Sequence, residues 1–264
     1  MNTLSWFYYE WCTISVLWVR ELKRFWRQPS RLAGAIGQPI IFWLVLGSGM
    51  GRTFQIPGLT ISYLEFFFPG VIIMVLLFTS IFSAVSVIED RNLGFLQAVL
   101  AGPATRVSVV LGKCLGAANV ALIQASIFCL LMPMAGFHVA DINWLLFFLT
   151  MTVTSLGLTA LGYAIAWWIN NVQGYHAVHM TLMMPLWFIS GALFPANVTH
   201  PVLRMLMLFN PVAHAVSMTR RALYGKPVSE LVLVANGAAI EFSFLMAFSL
   251  CSLMFAIFVC IKKR

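Results

Sequence analysis

The stretch INWLLFFLTMTVTSLGLTALGYAIAWWINNVQGYHAVHMTLMMPLWFISGALFPANVTHPVL, residues 142–203, holds no Asp, Glu, Lys or Arg over 62 positions. A helix crossing a hydrocarbon core roughly 30 Å thick needs about 20 apolar residues. The stretch is long enough for two crossings, with Asn170 and Asn171 at the turn between them. The rest of the chain agrees. Hydrophobic residues make up 61% of it and charged residues 9%, against about 25% charged in ordinary globular domains. Residues 1–264 therefore read as one polytopic membrane domain, with no room for a sizeable soluble domain beside it.

Outward from that stretch, the charges delimit the spans. Arg31 and Arg52 bracket a first span at about 32–51, and Glu65 and Glu89 a second at 66–88. A third, about 108–134, ends near Pro133 and Gly136, before Asp141. The charge-free stretch supplies a fourth at 143–168 and a fifth at 175–194; a sixth, at 231–261, is interrupted by Glu241 alone. Open strand edges cannot exist in lipid, so the spans are expected to be helices. Residues 205–219 form one further apolar piece, too short to cross and broken by Asn210 and Pro211. It reads as an outer re-entrant hairpin within residues 195–230. The expected fold is thus an all-α integral membrane protein with six transmembrane helices.

Six spans put both termini on one side. If that side is the cytoplasm, eleven basic residues lie inside and five outside, as the positive-inside rule prefers. The exception is the outside cluster Arg220, Arg221 and Lys226, which points either to a wrong hairpin assignment or to anionic lipid or substrate at the outer face. The formal charge of +8 is explained by cytoplasmic loops, with no nucleic acid partner expected. No cleavable signal peptide is visible. The five cysteines lack a C-x-x-C spacing, and most sit in apolar surroundings where a thiol is a small hydrophobe.

Residues 1–31 carry Leu4, Phe7, Trp11, Ile14, Trp18, Leu22 and Phe25 at spacings of three and four, with Arg20, Arg24, Arg27 and Arg31 on a different face. That pattern predicts an amphipathic interfacial helix, its cations near anionic headgroups of membrane lipid. The loop at 89–106 starts with Glu89 and Asp90 at the membrane edge. It continues as a short cytoplasmic helix with Leu93, Leu96 and Leu100 on one face, and stops at Gly102 and Pro103, before Arg106. An apolar-faced helix there can lie in the interface or enter a groove on a partner protein.

This loop resembles the cytoplasmic loop of ABC type-2 transporter permeases, with Leu93-Gly94-Phe95-Leu96 where many members read Gly-Thr-Leu-Glu. The run Pro185-Leu186-Trp187-Phe188-Ile189-Ser190-Gly191-Ala192-Leu193-Phe194-Pro195, then Asn210-Pro211 and Arg220-Arg221-Ala222-Leu223, resembles that family's fifth span and outer hairpin. The resemblance covers nearly the whole chain. It implies a permease subunit that dimerises, as a homodimer in the simplest case, and binds a cytoplasmic ABC ATPase subunit at each copy. The coupling residues would be Glu89, Asp90, Leu93, Gly94, Leu96, Leu100, Pro103 and Arg106.

No nucleotide site is expected in this chain. The nearest match to a phosphate-binding loop, Gly51-Arg52-Thr53, has Leu46 and Arg52 where a glycine and a lysine are needed. No cofactor is expected, and no metal: His176 and His179 are three apart, but no carboxylate or cysteine is near them in sequence. Glu241 lies within a span, either facing a functional cavity or near the outer headgroups. With Asn210 and Pro211 it is a candidate for a substrate path. Asn197-Val198-Thr199 fits a glycosylation acceptor, which matters only in a eukaryotic secretory pathway. Ser155, Gly157, Ala160 and Gly162 are close-packing signals.

These readings converge on an ATP-driven exporter permease for amphipathic or hydrophobic cargo, drug-like, lipid-linked or polysaccharide, in the cell membrane. An integral membrane enzyme acting on lipid would need polar groups clustered at one depth, whereas the eight acidic residues scatter over both sides. An ion-coupled carrier would be expected to show matching broken helices in two halves.

Overall fold

In the computed structural model, residues 3–50, 61–196, 200–224, 233 and 237–262 are described, and no strand occurs among them. Eleven α-helices follow in order: α1 Thr3–Trp26, α2 Pro29–Met50, α3 Tyr63–Asn92, α4 Phe95–Leu100, α5 Arg106–Cys129 and α6 Met132–Ala135. After a short 3-10 turn come α7 Trp144–Trp168, α8 Val172–Phe188, α9 Pro201–Phe209, α10 Pro211–Tyr224 and α11 Ala238–Lys262. The chain is an all-α integral membrane protein. Outside the described residues lie Arg52 with the rest of the Gly51-Arg52-Thr53 stretch, Asn197-Val198-Thr199, Lys226, Glu230 and positions 231 and 232. So do Lys263, Arg264 and the side chain of Arg31.

Short polar side chains start the long helices by taking up the backbone N–H groups that a first turn leaves unpaired. Ser62 accepts from the Glu65 N–H at 3.2 Å to open α3, and Asn143 from the Leu146 N–H at 3.1 Å to open α7. Asn171 accepts from the Gly174 N–H at 2.5 Å to open α8. Asn171 thus ends the turn that separates the two helices of the charge-free stretch.

Among the described residues five helices, α2, α3, α5, α7 and α11, are long and apolar enough to cross a bilayer. Of its apolar span α3 buries 89% inside the protein, whereas α2 and α11 bury 22% and 28%. So α3 is the axis of the bundle, and α2 and α11 turn most of their surface outward. The eighth helix has 17 residues, a length of about 26 Å. The pair α9 and α10 bends by 89° at Asn210 and Pro211, where proline supplies no N–H to continue a helix and is at home in a first turn.

Several helix ends depart from the charge map. Glu65, Glu89 and Asp90 lie inside α3, which runs from Tyr63 to Asn92, because cations on other helices neutralise its charged end. The third long helix stops at Cys129, before the break that leads into the Pro133 turn of α6. The eighth ends at Phe188, and the chain turns at Gly191, whose φ of +76° favours glycine. Glu241 falls in the first turn of α11.

Candidate functional site

The C-terminal end of α3 meets α1 and the first turns of α5 in a buried ionic cluster. Asp90 is wholly buried, at 0% exposure. Arg20 donates to its two oxygens from both terminal nitrogens, each at 2.6 Å. Arg24 donates to Asp90 Oδ1 at 3.2 Å and also pairs with Glu89. Lys113 Nζ, on α5, pairs with Asp90 and donates to Glu21 Oε1 at 2.8 Å and to Ser86 Oγ at 3.3 Å. Three cations thus face three carboxylates across three helices, which is how buried charge offsets its large desolvation cost. The arrangement corrects the expectation for α1. Arg20 and Arg24 meet carboxylates, not headgroups; of the described cations of that stripe Arg27 alone stands exposed, next to the exposed Lys23.

Close approach makes the cluster possible. A Cβ at Gly116 would stand 2.7 Å from Glu21 Cβ, and one at Gly112 would stand 2.9 Å from the Ile14 carbonyl oxygen. Only glycine lets α1 lie this near α5. Farther along α1, Glu10 accepts from the Thr105 N–H at 3.0 Å and from its hydroxyl at 2.8 Å. Partial desolvation pushes the Glu10 carboxyl pKa up, but hydrogen bonds from Ser108 and Thr105 outweigh it and hold the pKa below its ordinary value. Glu10 therefore stays charged at the positive end of α5.

The loop between α3 and α5 is built onto this cluster. Gly94, at φ +75°, turns the chain into α4. Leu96 is 2% exposed within the main apolar core, Leu100 packs partly buried against it, and Leu93 is 78% exposed. The three leucines do not form one outward ridge. The outward face consists of Leu93, Gln97, Ala98 and Ala101, followed by the exposed Gly102 and Pro103. The Arg20 guanidinium lies 3.7 Å from the ring centroid of Phe95, the first residue of α4. Arg91 donates to the carbonyls of Trp167, at 2.8 Å, and Ile169; Arg106 donates to that of Cys260 at 2.5 Å. Both cations cap C-terminal helix ends, those of α7 and α11.

At the opposite end, Glu241 is also wholly buried. It accepts from Ser217 Oγ at 2.9 Å and from Arg221 Nε at 3.1 Å. Arg220 donates to the Gly191 carbonyl at 2.7 Å and lies 4.2 Å from the Phe66 ring centroid. Arg220 is thus a buried tie and Arg221 a partly covered one, and neither is a cationic outer display. Asn210 donates to the carbonyls of Leu186 and Ile189 at 2.6 and 3.2 Å, and accepts from the Val212 N–H at 3.0 Å. It closes the end of α8 and starts α10, whose first residue is Pro211. His179 is buried with Nδ1 3.1 Å from the Tyr175 hydroxyl, and His176 packs on Phe82.

Sequence reasoning missed Glu21, Ser86 and Lys113. The available signal was Lys113 itself, an ionisable residue inside an otherwise apolar run, which in a membrane protein calls for a partner.

Residues 13–224 match the family model described as ABC-2 type transporter, a range from α1 to the end of α10. Among curated proteins, a candidate transport permease, ycf38, of Pyropia yezoensis is 28% identical over 216 residues, covering 78% of this chain and 72% of its own. Nodulation protein J of Rhizobium leguminosarum bv. viciae is 24% identical over 209 residues, covering 76% and 78%. A candidate multidrug ABC transporter permease, YbhR, of Escherichia coli (strain K12) is 28% identical over 168 residues, covering 61% and 44%.

Proposed function

The chain belongs to the ABC-2 type transporter family, and from that premise we propose that it is the permease subunit of an exporter whose ATP is hydrolysed by a separate cytoplasmic ATPase. The observation that carries this reading is α4, a six-residue helix clamped at the basic end of the bundle with one face free. Eight described basic side chains lie at that end (Arg20, Lys23, Arg24, Arg27, Arg91, Arg106, Lys113 and Lys262), and three at the other (Arg204, Arg220 and Arg221). That bias makes the basic end cytoplasmic, in the inner or plasma membrane. With α2, α3, α5, α7, α8 and α11 as crossings, both termini are cytoplasmic and the bent pair is an outer re-entrant hairpin.

In this reading Leu93, Gly94 and Pro103 meet the ATPase, while Glu89, Asp90, Leu96, Leu100 and Arg106 hold the loop to the bundle. Glu241, Asn210 and Pro211 act by fixing the outer ends of α8, α10 and α11 around the exit of the cargo. A homodimer is favoured by Gln38 on α2, a polar side chain exposed on a crossing helix. In lipid it is costly, and against a second copy it finds partners. An amphipathic or hydrophobic cargo is supported by the similarity to a relative named a multidrug permease.

The test is co-expression with the ATP-binding-cassette ATPases of the source genome and purification through a tag on the permease. One ATPase is expected to co-purify and to hydrolyse ATP faster in lipid nanodiscs with the permease than alone. A permease that always comes off alone, leaving hydrolysis unchanged, overturns the reading.

A further inference from the structure

We propose that Arg20 is a positioning residue that locks α1 and α4 into one body, so that motion of α4 reaches α5 through α1 as well as through the direct packing of α4 on α3 and α5. The inference rests on the reading of α4 as the ATPase-facing element. Three observations carry it. First, the chain turns from α3 into α4 at Leu93 and Gly94, the latter in a left-handed conformation, through a tight turn closed by the Gly94 N–H on the Arg91 carbonyl at 3.1 Å, which sets the Phe95 ring and the Asp90 carboxylate within reach of one guanidinium. Second, Arg20 spans the gap beside that turn. Both of its terminal nitrogens bind Asp90 at 2.6 Å while the face of its guanidinium lies 3.7 Å from the Phe95 ring centroid. A planar guanidinium can present a two-pronged edge to a carboxylate and its face to a ring at once, which a lysine cannot. Third, α1 is backed along α5 by the glycine contacts at Gly112 and Gly116, by Glu10 on Thr105 and by Glu21 on Lys113. Arg24, one turn on, reaches Asp90 and Glu89, both of which belong to α3. Arg20 is therefore the side chain of α1 that grips α4.

The experiment uses the permease–ATPase complex in nanodiscs, with native cysteines replaced and spin labels attached through Val16→Cys on α1, Ala98→Cys on α4 and Met254→Cys on α11, all exposed positions. Pulsed electron resonance reads the distances without nucleotide and after vanadate trapping. The 16–98 distance is expected to stay fixed while the 98–254 distance changes. In Arg20→Met the 16–98 distribution broadens and stimulation of ATP hydrolysis falls several-fold, although the ATPase still co-purifies; Arg20→Lys lies between the two. Phe95→Leu removes the ring, leaves the ion pairs, and broadens the same distribution, which covers the case in which Arg20→Met does not reach the membrane. The lock is overturned if 16–98 changes on trapping as much as 98–254, if 98–254 does not change, or if both variants keep the narrow wild-type 16–98 distribution. A wild-type permease that retains no ATPase overturns the permease reading instead, and the 16–98 width in the permease alone, wild type against Arg20→Met, still decides the lock.

Discussion

Asp90 and Glu241 are both wholly buried carboxylates near helix ends, and their surroundings differ for a physical reason. Asp90 sits at the C-terminal end of α3, where the helix dipole is negative and disfavours a carboxylate. It is held by Arg20, Arg24 and Lys113, all from other helices. Glu241 sits in the first turn of α11, where the dipole favours it, and it binds one arginine and one serine of α10. A carboxylate at the unfavourable end of a buried helix must recruit cations from elsewhere and so becomes a hub. One at the favourable end is already stabilised by the dipole, and here acts as a staple between α10 and α11.

The comparison is tested most severely at the hub. Asp90→Asn leaves Arg20, Arg24 and Lys113 without their common partner, and breaking a buried pair this way costs about 3–5 kcal/mol. The variant is expected to lose thermal stability in detergent and to release α1, so that a cysteine introduced at the buried Leu17 becomes open to a thiol reagent. An Asp90→Asn protein with wild-type melting temperature and a protected position 17 would show that the cluster is not a hub.

At the staple the effect should be smaller. Glu241→Gln keeps acceptor and donor groups for Ser217 and gives up the charge opposite Arg221, at a cost of about 1–3 kcal/mol. Replacing both partners, with Glu241→Leu and Arg221→Leu together, should recover part of the loss, because removing both charges leaves neither one buried opposite the other's empty place. Melting temperatures of the two single variants and the double variant give the coupling energy. If the double variant is worse than either single one, Glu241 has further charged dependants and the contrast with Asp90 fails.

The two regions were also unequally legible in sequence. The break at Asn210 and Pro211 announces itself, because a proline inside an apolar run can only end or bend a helix. The charge-free stretch likewise contains its own turn, marked by the Asn171 cap. The hub is different. Its pairs join residues 23 positions apart for Lys113 and Asp90, 65 to 70 apart as with Arg20 and Asp90 or Arg24 and Glu89, and 92 apart for Glu21 and Lys113. No local pattern records such a partner. Charges used as markers of the membrane edge were in fact inside a helix, neutralised from a distance. The leucines of α4 fail differently. Spacing finds Leu93, Leu96 and Leu100 as an apolar set, but it cannot say that the bundle takes Leu96 and leaves Leu93 outside.

That division supplies the change with the smallest cost to the fold. Leu93 is 78% exposed, so Leu93→Asp should alter stability by no more than about 0.5 kcal/mol, as surface substitutions usually do. If Leu93 enters a groove on the ATPase, burying it contributes roughly 1.5–3 kcal/mol to association. Its loss should then weaken co-purification by about ten- to hundred-fold, with the charge adding a desolvation cost in the groove. Leu96→Asp is the control that separates folding from docking. It puts a carboxylate into the core and should reduce the amount of folded permease, so a failure to bind the ATPase there says nothing about docking. The informative result is a permease that carries Leu93→Asp, melts like wild type and no longer holds its ATPase. Wild-type association by that variant would mean that the outward face of α4 is not a docking face, and the cluster around Asp90 would then be, like that around Glu241, a device for fastening helix ends.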